Sequence, residues 1–184
     1  MRGRFEALGV PTIDSDVLAR EAVAGGTPGF DAVVAAFGPA VVDGSGALDR
    51  RALGALVFAD PEKRKILENI IHPEVRRVTE EWFARLPPGT PFAIADIPLL
   101  FETGRDKDFD VVIVTAIDPE EQVRRVVKRD GLSEAEARQR VAAQISMPEK
   151  IARADYVIRT DGAYADTDRR VQEVFEAINS TPVR

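Results

Sequence analysis

The chain has 184 residues, 45% of them hydrophobic, with no cysteine, a single histidine and a net charge of −6. These counts exclude disulfides, thiol catalysis and thiolate metal sites, and they speak against a multi-histidine metal centre or a Ser-His-Asp triad. The acidic balance argues against nucleic-acid binding; no apolar run approaches the ~20 residues a membrane span needs and no apolar signal segment opens the chain, so a cytoplasmic address is expected.

In chain order, Arg2 to Leu8 reads as the end of an amphipathic helix, with Gly9 as its stop, and "VPTIDSD" (residues 10–16) as a short extended run ending in aspartates. From Asp16 to Pro88 no convincing strand is found; helices and the Gly/Pro-rich "AGGTPGF" predict a helical insertion that holds a substrate. Asp60-Pro61 opens one helix with the stripe Ile66, Leu67, Ile70 and Ile71. A second is expected from Pro73 through Val75, Val78, Trp82 and Leu86, stopping at Pro87-Pro88-Gly89. "PFAIAD" (91–96), "DVVIVTA" (110–116) and "DYVIRT" (155–160) read as strands, the first two apolar enough for burial on both faces. Asp118 to Glu121 and Ser133 to Glu136 predict capping boxes, and residues 124–150 read as two or three short helices with Gly131 and Pro148 as hinges, the pattern of a mobile lid. A last helix carries Val171, Val174, Phe175 and Ile178 on one face. Strands alternating with helices predict an α/β doubly wound parallel sheet.

Ligands of such sheets sit beyond the carboxyl ends of the strands, where Asp14, Asp16 and Asp96 fall. Each serves equally as a turn former. In "DIPLLFETG", Leu99, Leu100 and Phe101 form either a core plug or an apolar wall for a ligand. His72 before Pro73 is a boundary residue or a ligand contact, and Arg76 and Arg77 one turn on reach either a phosphate or water. Arg125 and Arg129 share one helical face, and Arg140 stands in an alanine-rich helix; its planar fork suits a phosphate chain, with Glu134 or Glu136 as the competing partner.

Taken together and in order, "LGVPTIDSDVLAREAV", "GTPG", "GALDRRALGALVF", "IIHPEVRR", "DIPLLFETG", "RRVVKRDGLSEAEARQRVAAQ" and "ADYVIRTDG" closely resemble the successive blocks of dephospho-CoA kinases, over nearly the whole chain. The resemblance implies a P-loop kinase core with a helical CoA region over residues 17–90 and a lid over 119–153. It also implies transfer of the γ-phosphoryl of ATP, with Mg²⁺, to the ribose 3′-hydroxyl of dephospho-CoA. Asp16 matches the family's general base and Arg140 its lid arginine. Arg125 and Arg129 fall where the lid closes over ATP, and Asp161 and Gly162 in the turn near adenine. Asp14, Arg20, His72, Arg76, Asp96, Pro98 and Leu99 lie in the blocks surrounding dephospho-CoA. The partners implied are small molecules, with neither nucleic acid nor membrane.

Members of that family begin with a strand and a Walker A loop, G-x-x-x-x-G-K-[ST], ahead of the position of "RFEALG"; residues 1–184 contain no Gly-Lys pair. The expectation is that Met1 stands at an internal position of a longer kinase, and that residues 1–184 alone transfer no phosphate. A non-catalytic CoA-binding remnant is the competing reading, and another small-molecule P-loop kinase the alternative within the enzyme class.

Overall fold

A computed structural model describes residues 1–180. The chain divides into two compact units, Thr12–Ile97 and Met1–Pro11 together with the chain from Pro98 onward. The expected α/β class is observed, and its four strands hydrogen-bond as two parallel pairs, one in each unit.

In the Thr12–Ile97 unit, β1 (Thr12–Asp14) pairs in parallel with β2 (Ile94–Asp96), Thr12 opposite Ile94 and Asp14 opposite Asp96. Between them run α2 (Ser15–Ala22), α3 (Pro28–Phe37), α4 (Arg50–Ala59) and α5 (Pro61–Ala84). The insertion between the strands is helical as expected, its only β pairing among the described residues being the bridge of Val42 to Leu48. The "AGGTPGF" stretch is half loop and half helix, because Thr27 caps α3 by accepting from the Phe30 N–H and Pro28 occupies its first turn. One cluster buries Val23, Val33, Val41 and Leu53; another buries Ile13, Leu18 and Val75, and Ile71 of α5 packs against both.

The break expected at His72-Pro73 is absent: α5 runs uninterrupted for 24 residues with Pro73 inside it. Proline removes the N–H that would bond the Asn69 carbonyl, at about 3 kcal/mol in a helix interior. Packing of Ile70 and Ile71 before it and of Val75 and Val78 after it, against the same two clusters, offsets that penalty.

The other unit holds α1 (Arg2–Ala7), β3 (Ile113–Ala116), α6 (Pro119–Asp130), α7 (Glu134–Ala142), α8 (Met147–Ala152), β4 (Tyr156–Arg159) and α9 (Tyr164–Asn179). The helix stop predicted at Gly9 is present, with φ of 82°. Helix α1 packs on α9 through Arg4, which bonds Asp168 at 2.6 Å. Strands β3 and β4 pair in parallel from Ile113 with Tyr156 to Ala116 with Arg159. The expected burial of both faces is not observed: Val114 and Ala116 are buried while Thr115 between them is exposed, the period of a half-covered strand. All four strands are shorter than the stretches read as strands, and Phe92 and Val111, for example, lie outside the ladders.

Three short helices, α6, α7 and α8, occupy the stretch where two or three were expected. Ser133 and Glu136 form the full capping box, whereas Asp118 caps α6 from one side only because Glu121 turns to Arg124 and Arg125. Gly131 is left-handed at φ 66° and joins α6 to α7, but Pro148 lies in the first turn of α8 and is no hinge.

Candidate functional site

The carboxyl end of the β1–β2 pair gathers three aspartates. Asp14 ends β1 and caps α2, its Oδ1 accepting from the N–H groups of Asp16 at 2.9 Å and Val17 at 3.2 Å. Asp96 stands opposite it in the ladder and is exposed. Asp16, the second residue of α2, is exposed, and its carboxylate has no partner among the described residues. Asp14 is thus engaged in building the helix start, while Asp16 keeps its acceptor capacity for something else. Arg20 lies one turn along the same face of α2, exposed and likewise without a partner among the described residues.

His72 and Arg76 are exposed one turn apart on α5, and Arg76 donates to Glu80 at 3.0 Å. Arg77 is gripped by Glu74 and Glu81, which raise its pKa. Helices α2, α3 and α5 enclose a cleft of about 680 Å³ lined by Leu18, Ala22, Gly29, Pro73, Glu74 and Val78, among others. At 100° per residue, Leu18 and Ala22 lie about half a turn around α2 from Asp16 and Arg20. The cleft and the candidate base therefore use different faces of one helix.

In the other unit the arginines fall into distinct states. Arg138 donates four hydrogen bonds, to Glu120 at 2.6 and 2.9 Å and to Glu134 at 2.8 and 3.0 Å. Arg125 bonds Glu121 and donates to the Thr160 carbonyl at 2.8 Å, next to Asp161. Arg129 lies edge-on to Asp130, at 2.7 and 2.9 Å. Arg140 pairs with neither Glu134 nor Glu136, so the competing pairing is not observed: its Nη1 donates to Asp130 at 2.6 Å, because Glu134 is taken by Arg138 and Glu136 by the Ser133 cap. Bonds from Arg129 first, and the charge of Arg140, hold the Asp130 carboxyl below the usual range. Asp161 is likewise held low by Arg159. Gly162 carries no positive φ, and a Cβ there would meet only Asp166 at 3.6 Å, so the fold itself does not demand glycine.

In "DIPLLFETG" both readings of the apolar run hold in part. Phe101 is buried with Val112 and Val114, while Leu99, one residue after Pro98, is 44% exposed. Glu102 pairs with Lys150 at 2.9 Å in the least exposed ion pair among the described residues, with side chains 18% and 12% accessible, and also accepts from the Ile145 N–H at 3.1 Å. Burial pushes the Glu102 carboxyl up, but Lys150 and the N–H donors outweigh it and leave it below its ordinary value.

A family model described as dephospho-CoA kinase matches residues 2–166. The chain belongs to the dephospho-CoA kinase family. A curated dephospho-CoA kinase of Geobacter sulfurreducens is 47% identical over 172 residues, covering 93% of this chain and 87% of that protein. One from Cutibacterium acnes is 49% identical over 174 residues, covering 92% and 74%. Among solved structures, a Thermus thermophilus protein superposes with a TM-score of 0.81 at 38% identity, over 96% of this chain and 88% of that one. A dephospho-CoA kinase from Campylobacter jejuni gives 0.70 at 30% identity, over 95% and 87%. The family makes this chain a kinase of the P-loop fold class with ATP as co-substrate.

Sequence reading missed Asp130 and the Glu102–Lys150 pair. Asp130 stood in view as the "RDG" at a helix end; the other pair spans 48 positions, and no local pattern signals it. Among the described residues no group of three or more His, Asp or Glu could hold a metal, so these residues do not by themselves fit the Mg²⁺ that the family implies. No helix among them is long and apolar enough to cross a membrane.

Proposed function

We propose that this kinase phosphorylates the ribose 3′-hydroxyl of dephospho-CoA, with Asp16 as the general base. The observation that carries the reading is the division of labour at the β1 exit: Asp14 is engaged as the α2 cap, and Asp16 beside it is exposed and unpartnered among the described residues. The 3′-oxygen forms the new bond to the γ-phosphorus, the bond to the β–γ bridging oxygen breaks, ADP leaves, and the hydroxyl proton passes to Asp16. Positioning and charge stabilisation dominate such transfers, so the main work of Asp16 is to orient the hydroxyl.

Arg140 meets the transferring phosphoryl, and Arg125 and Arg129 close over ATP. Asp161 and Gly162 border the adenine, where a glycine the fold does not require leaves open backbone. Asp14, Arg20, His72, Arg76, Asp96, Pro98 and Leu99 surround dephospho-CoA; residues 17–90 form the helical substrate region and residues 119–153 the lid. The partners are small molecules, and the compartment is the cytoplasm.

Residues 1–184 hold no G-x-x-x-x-G-K-[ST] sequence, and hence no amide cradle, phosphate-binding lysine or Mg²⁺-binding hydroxyl of that kind. On this reading, transfer needs such a loop in addition to residues 1–184. The test compares residues 1–184 with the same chain preceded by a strand and a Gly-rich loop. ADP release coupled to dephospho-CoA is expected only from the second. Activity from residues 1–184 alone, free of host kinase, would refute the requirement; inactivity of both would favour a CoA-binding remnant.

A further inference from the structure

Asp130 is the last residue of α6, where the helix dipole disfavours an anion. Its carboxylate is only 21% exposed, yet it accepts three hydrogen bonds from two guanidinium groups. Arg129 lies edge-on, filling one oxygen and sharing the other, so one cation already neutralises the carboxylate. Arg140 adds a second cation through a single Nη1 contact at 2.6 Å, across the left-handed Gly131 that joins α6 to α7.

A guanidinium carries five N–H donors. Arg140 gives one to Asp130, and the others find no partner among the described residues, while its side chain is 53% exposed. Arg138, two residues earlier on the same helix, has four of its five donors committed to Glu120 and Glu134. Of these two arginines only Arg140 is both anchored and open.

We propose that Asp130 is a positioning residue for Arg140, gripping one corner of its guanidinium so that the remaining donors face an incoming phosphoryl group in a fixed orientation. Arg129 holds the carboxylate charged and in place. This inference rests on the reading of Arg140 as the arginine that meets the transferred phosphoryl. A loosely held guanidinium would retain its charge and its contribution to ground-state attraction. It would lose alignment at the moment of transfer, which lowers kcat more than it raises KM.

The experiment is a double-mutant cycle in the kinase carrying its phosphate loop, using Asp130→Asn, Arg140→Ala and the double variant, with kcat and both KM values measured. Asp130→Asn is expected to lower kcat about 10- to 100-fold with either KM changed less than about threefold. In the Arg140→Ala background it should change kcat by less than about twofold, because its effect passes through Arg140. Asp130→Glu, which keeps the charge, should restore part of the loss. Independently of activity, nitrogen-15 NMR of the Arg140 guanidinium should show faster rotation in Asp130→Asn, with Arg138 unchanged. An Arg140→Ala variant with normal kcat overturns the underlying reading of Arg140. A large loss in Arg140→Ala together with an Asp130→Asn effect that is absent, or equal in both backgrounds, overturns the role of Asp130 alone. Unchanged Arg140 rotation overturns it too, whether or not Asp130→Asn lowers the unfolding temperature.

Discussion

Lys150→Met tests the ion pair that ties the "LFE" turn to α8. Methionine keeps the length and helix propensity of lysine and removes only the ammonium. It deletes the 2.9 Å contact to Glu102 and the 3.1 Å donation to Gln144. Glu102 is left with the Ile145 N–H on Oε1 and no protein partner on Oε2, which is already buried without one. Breaking a fully buried pair costs about 3–5 kcal/mol, and residual access to water at 18% and 12% lowers this to about 2 kcal/mol at pH 7. In the native protein the Glu102 carboxyl is held below its ordinary value, so it contributes stability above the unfolded value of about 4.3, lost as pH falls through the folded value. Without Lys150, burial instead pushes the carboxyl up, and ionised Glu102 destabilises. The difference between the two proteins should therefore be largest near neutrality and shrink as pH falls through the lowered folded value of the native carboxyl, below which Glu102 is protonated in both. Urea unfolding of residues 1–184 across pH 3.5 to 7.5 measures it. A difference below about 0.5 kcal/mol, or one that does not vary with pH, would refute the reasoning.

Gly29→Ala places a Cβ 2.2 Å from the Ala22 carbonyl oxygen, a backbone atom that also accepts from the Thr27 hydroxyl at 2.9 Å. The overpacking should outweigh the helix-propensity gain and destabilise by about 1–3 kcal/mol, read by urea unfolding. Pro73→Ala restores the missing donor inside α5. Stabilisation of about 1–2 kcal/mol is expected, less than the full propensity difference because alanine also frees the unfolded chain, and it should appear as a higher unfolding temperature.

The parts of this molecule legible in the sequence are those written in local chemistry. Asp60, Asp118 and Ser133 announce helix starts because a short oxygen side chain followed by an acid or a proline satisfies orphan N–H groups. Asp14 and Asp16 were visible as a strand exit, but which of them caps α2 became clear only from the hydrogen bonds. Pro73 misled because the penalty it imposes is local, whereas the packing that offsets it comes from α2, α3 and α4. The partner of Arg140 was hidden for a related reason. Within α7 the sequence offered Glu134 or Glu136 as the competing partner, whereas the turn at Gly131 brings Asp130 of the preceding helix to it. The Glu102–Lys150 pair depends wholly on tertiary folding and leaves no periodic trace.

The most direct test of the central claim is transfer of labelled γ-phosphate from ATP to dephospho-CoA by the kinase carrying its phosphate loop, compared with its Asp16→Asn variant. The account predicts a product phosphorylated at the ribose 3′-hydroxyl. It also predicts a kcat lowered by about two to four orders of magnitude in Asp16→Asn, with dephospho-CoA affinity within a fewfold, because the amide keeps the volume and removes the proton acceptor. Transfer to another acceptor in preference to dephospho-CoA, or near-normal turnover in Asp16→Asn, would contradict it.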